Sequence, residues 1–345
     1  MIRKGILVYH NVPVLDVHGH VSVPFSANSF LVLMMGSNTP MNSPIGQDKA
    51  GPAGVSKEDF RAAALGHARY MDERNIDVQI IGPRPFLMLG WMEPHLLPSW
   101  TRYVNDMIHQ QCEMFPDRFL GAAMLPQISD APDMSNCVGE LNRCVTEYGF
   151  AAAYVSPDPA GRRTTPGMHE PYWYPLYARA QELGIPLIVH GTNALDPRYR
   201  VVPHNYQLGF LTEQYLAGQF LSHGDVFERF PELRVIICHC GGALDRFIPT
   251  DHHIAQKDLS DNLFYDTCGY DLHFLEAAIK QRGVTRMLFG TEAPGSGRAV
   301  RPETGRTSDD LVPVIGAFDF LTEDDKIKIF NQNPARVVPA LAKIR

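Results

Sequence analysis

The chain has 345 residues, 45% of them hydrophobic and 20% charged, a balance that excludes disordered, collagenous and fibrous classes. A net charge of −7 argues against a nucleic-acid partner or an anionic membrane surface. Six cysteines without a C-x-x-C pair read as the reduced thiols of a cytoplasmic protein, and neither a signal-peptide core nor an apolar run of eighteen residues is visible.

In chain order, short apolar runs alternate with amphipathic stretches. The first run, at 14–17, ends in His18-Gly-His20. A helical pattern at 57–74 leads to a second run at 78–82, ending in Pro83-Arg84. Further helices are predicted at 100–115, 134–148 and 172–183, and further strands at 119–125, 151–155 and 186–189, the last running into His190. Helices at 211–223 and 226–230 precede a strand at 235–238 before His239. A strand at 263–265 ends at Asp266, a helix follows at 272–281, and an eighth strand at 287–289 leads to Glu292. The last predicted helix, 322–330, has Thr322 as its N-cap and Asp324 and Asp325 in its first turn.

Eight short strands alternating with helices imply parallel βαβ units covered on both faces. A single-domain (β/α)8 TIM barrel over 1–345 is expected, with a doubly wound open sheet as the alternative. The barrel accounts for one more fact. His18, His20, Arg84, His190, His239, Asp266 and Glu292 all fall just after strands, and in a barrel those positions converge on one mouth. Two segments stand outside the pattern. Residues 21–55 are rich in Pro, Gly, Ser and Asn and are expected to form an inserted loop over the mouth or at a subunit interface. The apolar patch Phe30–Met35 within it suggests a homo-oligomer. A Gly- and Arg-rich loop at 295–310 follows the eighth strand.

Residues i and i+2 of a strand face one side, so His18 and His20 can point at one spot. Neutral imidazole is a good ligand for zinc and other borderline divalent ions. An H-x-H alone is a weak signal; three further strand-end residues, His190, His239 and Glu292, strengthen it. Arg84 could hold a substrate carboxylate in a fork, or form a surface ion pair. His204, Arg246 and Arg298 are weaker substrate-binding candidates, each with an ordinary surface or packing alternative. Asp266 could orient a ligand histidine or cap a helix. Cys238 and Cys240, flanking His239, read as small buried apolar residues, and Tyr174 as core packing near a helix start, with approach to a substrate as its alternative.

The motifs LDVHGH, PLIVHGTN, VIICHCGGALDRF, MLFGTEAPGSG and IFNQNPARV, in this order, resemble the amidohydrolase superfamily, in the branch of aminocarboxymuconate semialdehyde decarboxylase. The resemblance implies a metal-dependent lyase. His18, His20 and His190 match metal ligands, and His239 matches a catalytic acid/base. Glu292 stands where most members carry Asp, and is implied as ligand, base or both. Fragments such as YGFAAAYVSPDPAG, FYDTCGYD and PETGRTSDD resemble 4-oxalomesaconate hydratases. One divalent ion is expected, zinc first, with manganese or iron fitting the same donors. The fourth strand is followed by Ser156-Pro-Asp158 rather than the bridging lysine of binuclear relatives. The expected substrate is a small aromatic or unsaturated, muconate-like carboxylic acid. Decarboxylation is the first expectation and hydration of a conjugated double bond the second. Hydrolysis of a lactone, ester or amide is a third.

Overall fold

The computed structural model describes residues 8–24, 56–192, 194–196, 198, 205–252 and 257–343. A two-residue antiparallel ribbon, β1 (Val8–Tyr9) and β2 (Val12–Pro13), precedes the main sheet. The main sheet holds β3 (Leu15–His20), β4 (Val78–Gly82), β5 (Phe119–Ala123), β6 (Ala152–Val155), β7 (Leu187–Val189), β8 (Val235–Ile237), β9 (Leu263–Asp266) and β10 (Met287–Leu288). Every neighbouring pair is parallel and follows chain order. The predicted strands are all present, and the (β/α)8 expectation holds.

The two outer strands of this sheet meet. Val17 N donates to Phe289 O at 2.9 Å, and Glu292 N donates to His18 O at 2.8 Å. Asp16 reinforces the seam. It accepts from Thr291 N at 3.2 Å and Thr291 Oγ1 at 2.6 Å, and from Gln79 Nε2 at 2.8 Å. Asp16 is fully buried, and burial pushes its carboxyl up to about 6 against the pull of these hydrogen bonds. Tyr154 fills the barrel interior and donates to Gly19 O at 3.1 Å. Its ring occupies the space where a Cβ at Gly82 would lie, 2.3 Å away, so position 82 must lack a side chain.

Helices cover the outside: α1 (Lys57–Asp72), α2 (Leu97–Met114), α3 (Ser135–Tyr148), α4 (Tyr174–Leu183), α5 (Asn205–His223), α6 (Val226–Arg229) and α7 (Leu272–Arg282). Helix α5 starts six residues before its predicted start. Gly209 made that stretch read as loop, yet it lets the helix approach the chain after β7, where a Cβ would sit 2.8 Å from Ala194 N. Thr322 caps the last helical region through a capping box with Asp325, as the sequence predicts. That region continues through a wide π turn at Lys328–Gln332 into Asn333–Val337. Asn331 and Asn333 donate to Pro13 O and Met287 O, tying it under the seam. Residues 25–55, with the apolar patch Phe30–Met35, lie outside the described residues, as does His204. No helix among the described residues is long and apolar enough to cross a membrane.

The loop after β10 is a strap pinned onto α1. Asp309 is fully buried and accepts from Arg74 Nε at 2.8 Å, Tyr70 Oη at 2.7 Å and Thr307 Oγ1 at 2.7 Å. Arg301 donates to Tyr270 O and Ser308 O. Removing one partner of a buried ion pair strands the other. Asp309→Ala is therefore expected to cost about 3 kcal/mol in urea denaturation and to open the strap to proteolysis, whereas Glu303→Ala on its exposed face leaves stability unchanged.

Candidate metal centre

The barrel closure brings together donors far apart in sequence. His18 and His20 are the fourth and last residues of β3, His190 follows β7, and Glu292 lies just beyond β10. One donor atom from each lies within 4.8 Å of all the others. All four residues are buried.

The hydrogen bonds on the outer ring nitrogens fix the tautomers. His18 Nδ1–H donates to Asp266 Oδ2 at 2.7 Å, His20 Nδ1–H to Pro83 O at 2.8 Å, and His190 Nδ1–H to Gly191 O at 2.8 Å. Carbonyls and carboxylates only accept, so in the neutral ring each Nε2 carries the lone pair. All three Nε2 atoms are buried without a hydrogen-bond partner. Three convergent, unsatisfied lone pairs beside a carboxylate are costly unless a cation receives them. The donor set fits a divalent ion.

Electrostatics separate the rings. Burial pulls His20 down to about 4 and His190 well below the ordinary value, the latter helped by the neighbouring rings. At His18 burial opposes protonation, but the Asp266 carboxylate outweighs it and raises the pKa. Glu292 is held well below the carboxylate range: burial opposes this, and contacts from His20 and His239 overcome it.

The two oxygens of Glu292 face different ways. Oε1 lies 3.4 Å from His20 Nε2, on the donor side. Oε2 accepts from Ser296 Oγ at 2.8 Å and Tyr270 Oη at 3.2 Å, and lies 3.7 Å from His239 Nε2. The other ring nitrogen of His239 contacts the Gln214 side-chain amide at 3.0–3.1 Å. His239, Cys240 and Glu292 all adopt positive φ, at 53°, 56° and 56°, an unfavourable region for residues with a Cβ. These turns aim both side chains at one point. Gly242 completes the first turn at φ 78°, where a Cβ would fall 2.1 Å from Leu211 O.

A cavity of about 280 Å³ opens beside this point, lined by Phe210, Leu211, Phe274 and Tyr270 with His239, Cys268 and Glu292. Its walls are mostly apolar, with polar groups at one end, the usual form of a small-molecule site. Arg84 lies nearby: its Nε donates to Val21 O at 3.1 Å. Burial brings its pKa down to about 10, with the charges of Glu292 and Arg298 both felt. Arg246 and Arg298 are exposed, over the rings of Phe247 and Tyr70, and neither lines the cavity. Tyr174 packs on Phe230. Cys238 is buried close to His18 and Asp266. Sequence reading missed Gln214, Tyr270, Ser296 and Cys268. FYDTCGYD carried a trace of Cys268 and Tyr270, and MLFGTEAPGSG one of Ser296, both quoted above as a resemblance.

A parallel eight-stranded barrel with a histidine-rich donor set at its strand ends defines an enzyme whose chemistry sits at the barrel mouth. The chain belongs to the amidohydrolase family, whose model matches residues 15–340. It is 31% identical to the 2-keto-4-carboxy-3-hexenedioate hydratase of Sphingobium sp., over 96% of this chain and 98% of that one. The gamma-resorcylate decarboxylase of Rhodococcus jostii is 27% identical over 66% of this chain and 75% of its own. Among solved structures, the 4-oxalomesaconate hydratase of Rhodopseudomonas palustris superposes with a TM-score of 0.76 at 29% identity, covering 95% and 96% of the two chains.

Two measurements follow. Zinc or manganese at a hundred times its dissociation constant should stabilise the fold by about 2.7 kcal/mol, read as a rise in Tm that a chelator reverses and His190→Ala abolishes. The second concerns His67, buried on α1. Its Nε2–H donates to Gln79 Oε1 at 2.7 Å, and burial holds its pKa down to about 3. Below about pH 6.5 the unfolded chain binds a proton there that the folded one refuses. Stability should therefore fall with pH by up to about 1.4 kcal/mol per unit from this group, and His67→Gln should flatten that slope in urea titrations.

Proposed function

We propose that this enzyme is a hydro-lyase that adds water across a conjugated double bond of a small, unsaturated keto acid bearing carboxylates. The observation that carries this reading is Glu292, whose carboxylate spans the space between the imidazole donors and His239. Full-length similarity to hydratases supports it.

His18, His20, His190 and Glu292 Oε1 would hold the ion, for which zinc is the best chemical match to three imidazoles and a carboxylate. When bound, a divalent ion supplies a Lewis acid for the oxygens of the substrate. The remaining work belongs to side chains. Glu292 Oε2, held by Ser296 and Tyr270, accepts a proton from the attacking water. His239, positioned by Gln214, exchanges a proton with the substrate carbon. Arg84 pairs with a substrate carboxylate. Phe210, Leu211 and Phe274 flank the planar conjugated part and exclude bulk water.

Decarboxylation uses the same constellation and is the second reading, supported by the resorcylate decarboxylase relatives and by apolar walls suited to an aromatic ring. Mass spectrometry separates the two. Metal-loaded protein is incubated with 2-keto-4-carboxy-3-hexenedioate and, separately, with dihydroxybenzoates. Gain of one water with loss of the conjugated ultraviolet absorbance is expected, and Glu292→Gln and His239→Ala should each slow it by roughly 10²–10⁴-fold. Loss of carbon dioxide from a dihydroxybenzoate, with no hydration of the keto acid, overturns the hydratase reading in favour of the second.

A further inference from the structure

Beside the four-donor set lies another that shares His18 with it. His18, His239 and Cys268 each offer a ligand atom within 4.8 Å of the other two. Each donor is held in place. Asp266 Oδ2 takes the His18 Nδ1–H, while its Oδ1 accepts from Cys268 N at 3.0 Å. Gln214 contacts the other ring nitrogen of His239. His18 Nε2 is fully buried and has no hydrogen-bond partner. The only polar contact of the Cys268 thiol among the described residues is a long one, 3.5 Å to Tyr270 Oη. Cys268 and His239 both line the cavity, so an ion in solution has a route to them.

We propose that His18, His239 and Cys268 form a second cation position, selective for thiophilic ions and alternative to the four-donor position. The two sets differ in kind. Three imidazoles and a carboxylate suit a borderline ion, whereas two imidazoles and a sulfur favour a soft one such as cadmium. Entry is a simple exchange: the S–H bond breaks, its proton leaves to the buffer, and a sulfur–metal bond forms without change of oxidation state. Both positions need the one lone pair on His18 Nε2, because its Nδ1 is committed to Asp266. An ion held here also occupies a nitrogen of His239. Binding therefore competes with the four-donor ion and inhibits, whichever reaction the enzyme performs. The proposal rests on the histidine cluster alone, not on the choice between hydration and decarboxylation.

Cadmium titration of the metal-free, full-length protein tests it, with two readouts: the ultraviolet thiolate-to-cadmium charge-transfer band, and bound cadmium by equilibrium dialysis. The wild type should develop the band. Cys268→Ser and Cys268→Ala should both lose it while retaining one bound ion through the four-donor set. His20→Ala should keep the band, since His20 serves only the four-donor set. Cadmium should inhibit the zinc-loaded Cys268→Ser enzyme at least about tenfold more weakly than the wild type, the scale on which even outer partners of metal ligands act. Absence of the band in the wild type overturns the proposal. So does a band that survives in both folded Cys268 variants, because another of the six cysteines would then be the ligand. If His20→Ala and Cys268→Ser both fail to bind any cadmium while circular dichroism shows them folded, the histidine cluster itself is not a metal centre.

Discussion

The seam between β3 and β10 is the constraint on which the site depends. Two backbone hydrogen bonds, Val17 N to Phe289 O and Glu292 N to His18 O, join the two ends of the sheet. Beneath them Asp16 gathers Thr291 and Gln79. Glu292 and the two strand-borne histidines face each other only because this closure places the eighth strand against the first. The buried carboxyl of Asp16 is a strong electrostatic choice for that place. It stays tolerable because several donors converge on it, and it stiffens the one junction where no loop connects neighbouring strands.

The donor set shows how a low-dielectric pocket can aim imidazoles while disfavouring protonation of His20 and His190. Two of the three rings give their outer N–H to backbone carbonyls, which fix orientation without adding charge. The third gives it to Asp266, which brings a negative charge to the far side of the ring and makes its inner lone pair more basic. The strain at His239, Cys240 and Glu292 belongs to the same design. Left-handed backbone is unfavourable for such residues, and here it turns two side chains out of the strand direction into one volume. Ser296 and Tyr270 then hold the outer oxygen of Glu292, so the carboxylate presents one atom to each half of the site.

Much of this was legible in the sequence, for identifiable reasons. Strands buried on both faces are written as short apolar runs, and eight of them in alternation with helices leave few topologies. Polar residues interrupting the ends of such runs stand out, which is why His18, His20, His190, His239, Asp266 and Glu292 could all be named. Residues whose placement depends on a helix crossing or a folded loop could not. Gln214 sits mid-helix and looks like any amide; it meets His239 because α5 packs against the turn after β8, while Gly209 lets the helix approach the chain after β7. Ser296 depends on the strap, whose course is set by the buried Arg74–Asp309 pair far along the chain. Arg246 and Arg298 were weaker candidates, each with an ordinary surface alternative, and both side chains are exposed, over the rings of Phe247 and Tyr70.

The terminal helical region carries a consequence for how the molecule comes into being. Ile329 O accepts from Phe289 N, and the side chains of Asn331 and Asn333 grip the first and last strands from below. A chain emerging from the ribosome therefore carries His18 and His20 on a strand whose closing neighbour, with Glu292, is made more than 250 residues later. The four donors can meet only once residues 287–333 are present to close the ring. The complete donor set is therefore a property of the closed barrel, and a chain that stops short of Glu292 lacks its carboxylate.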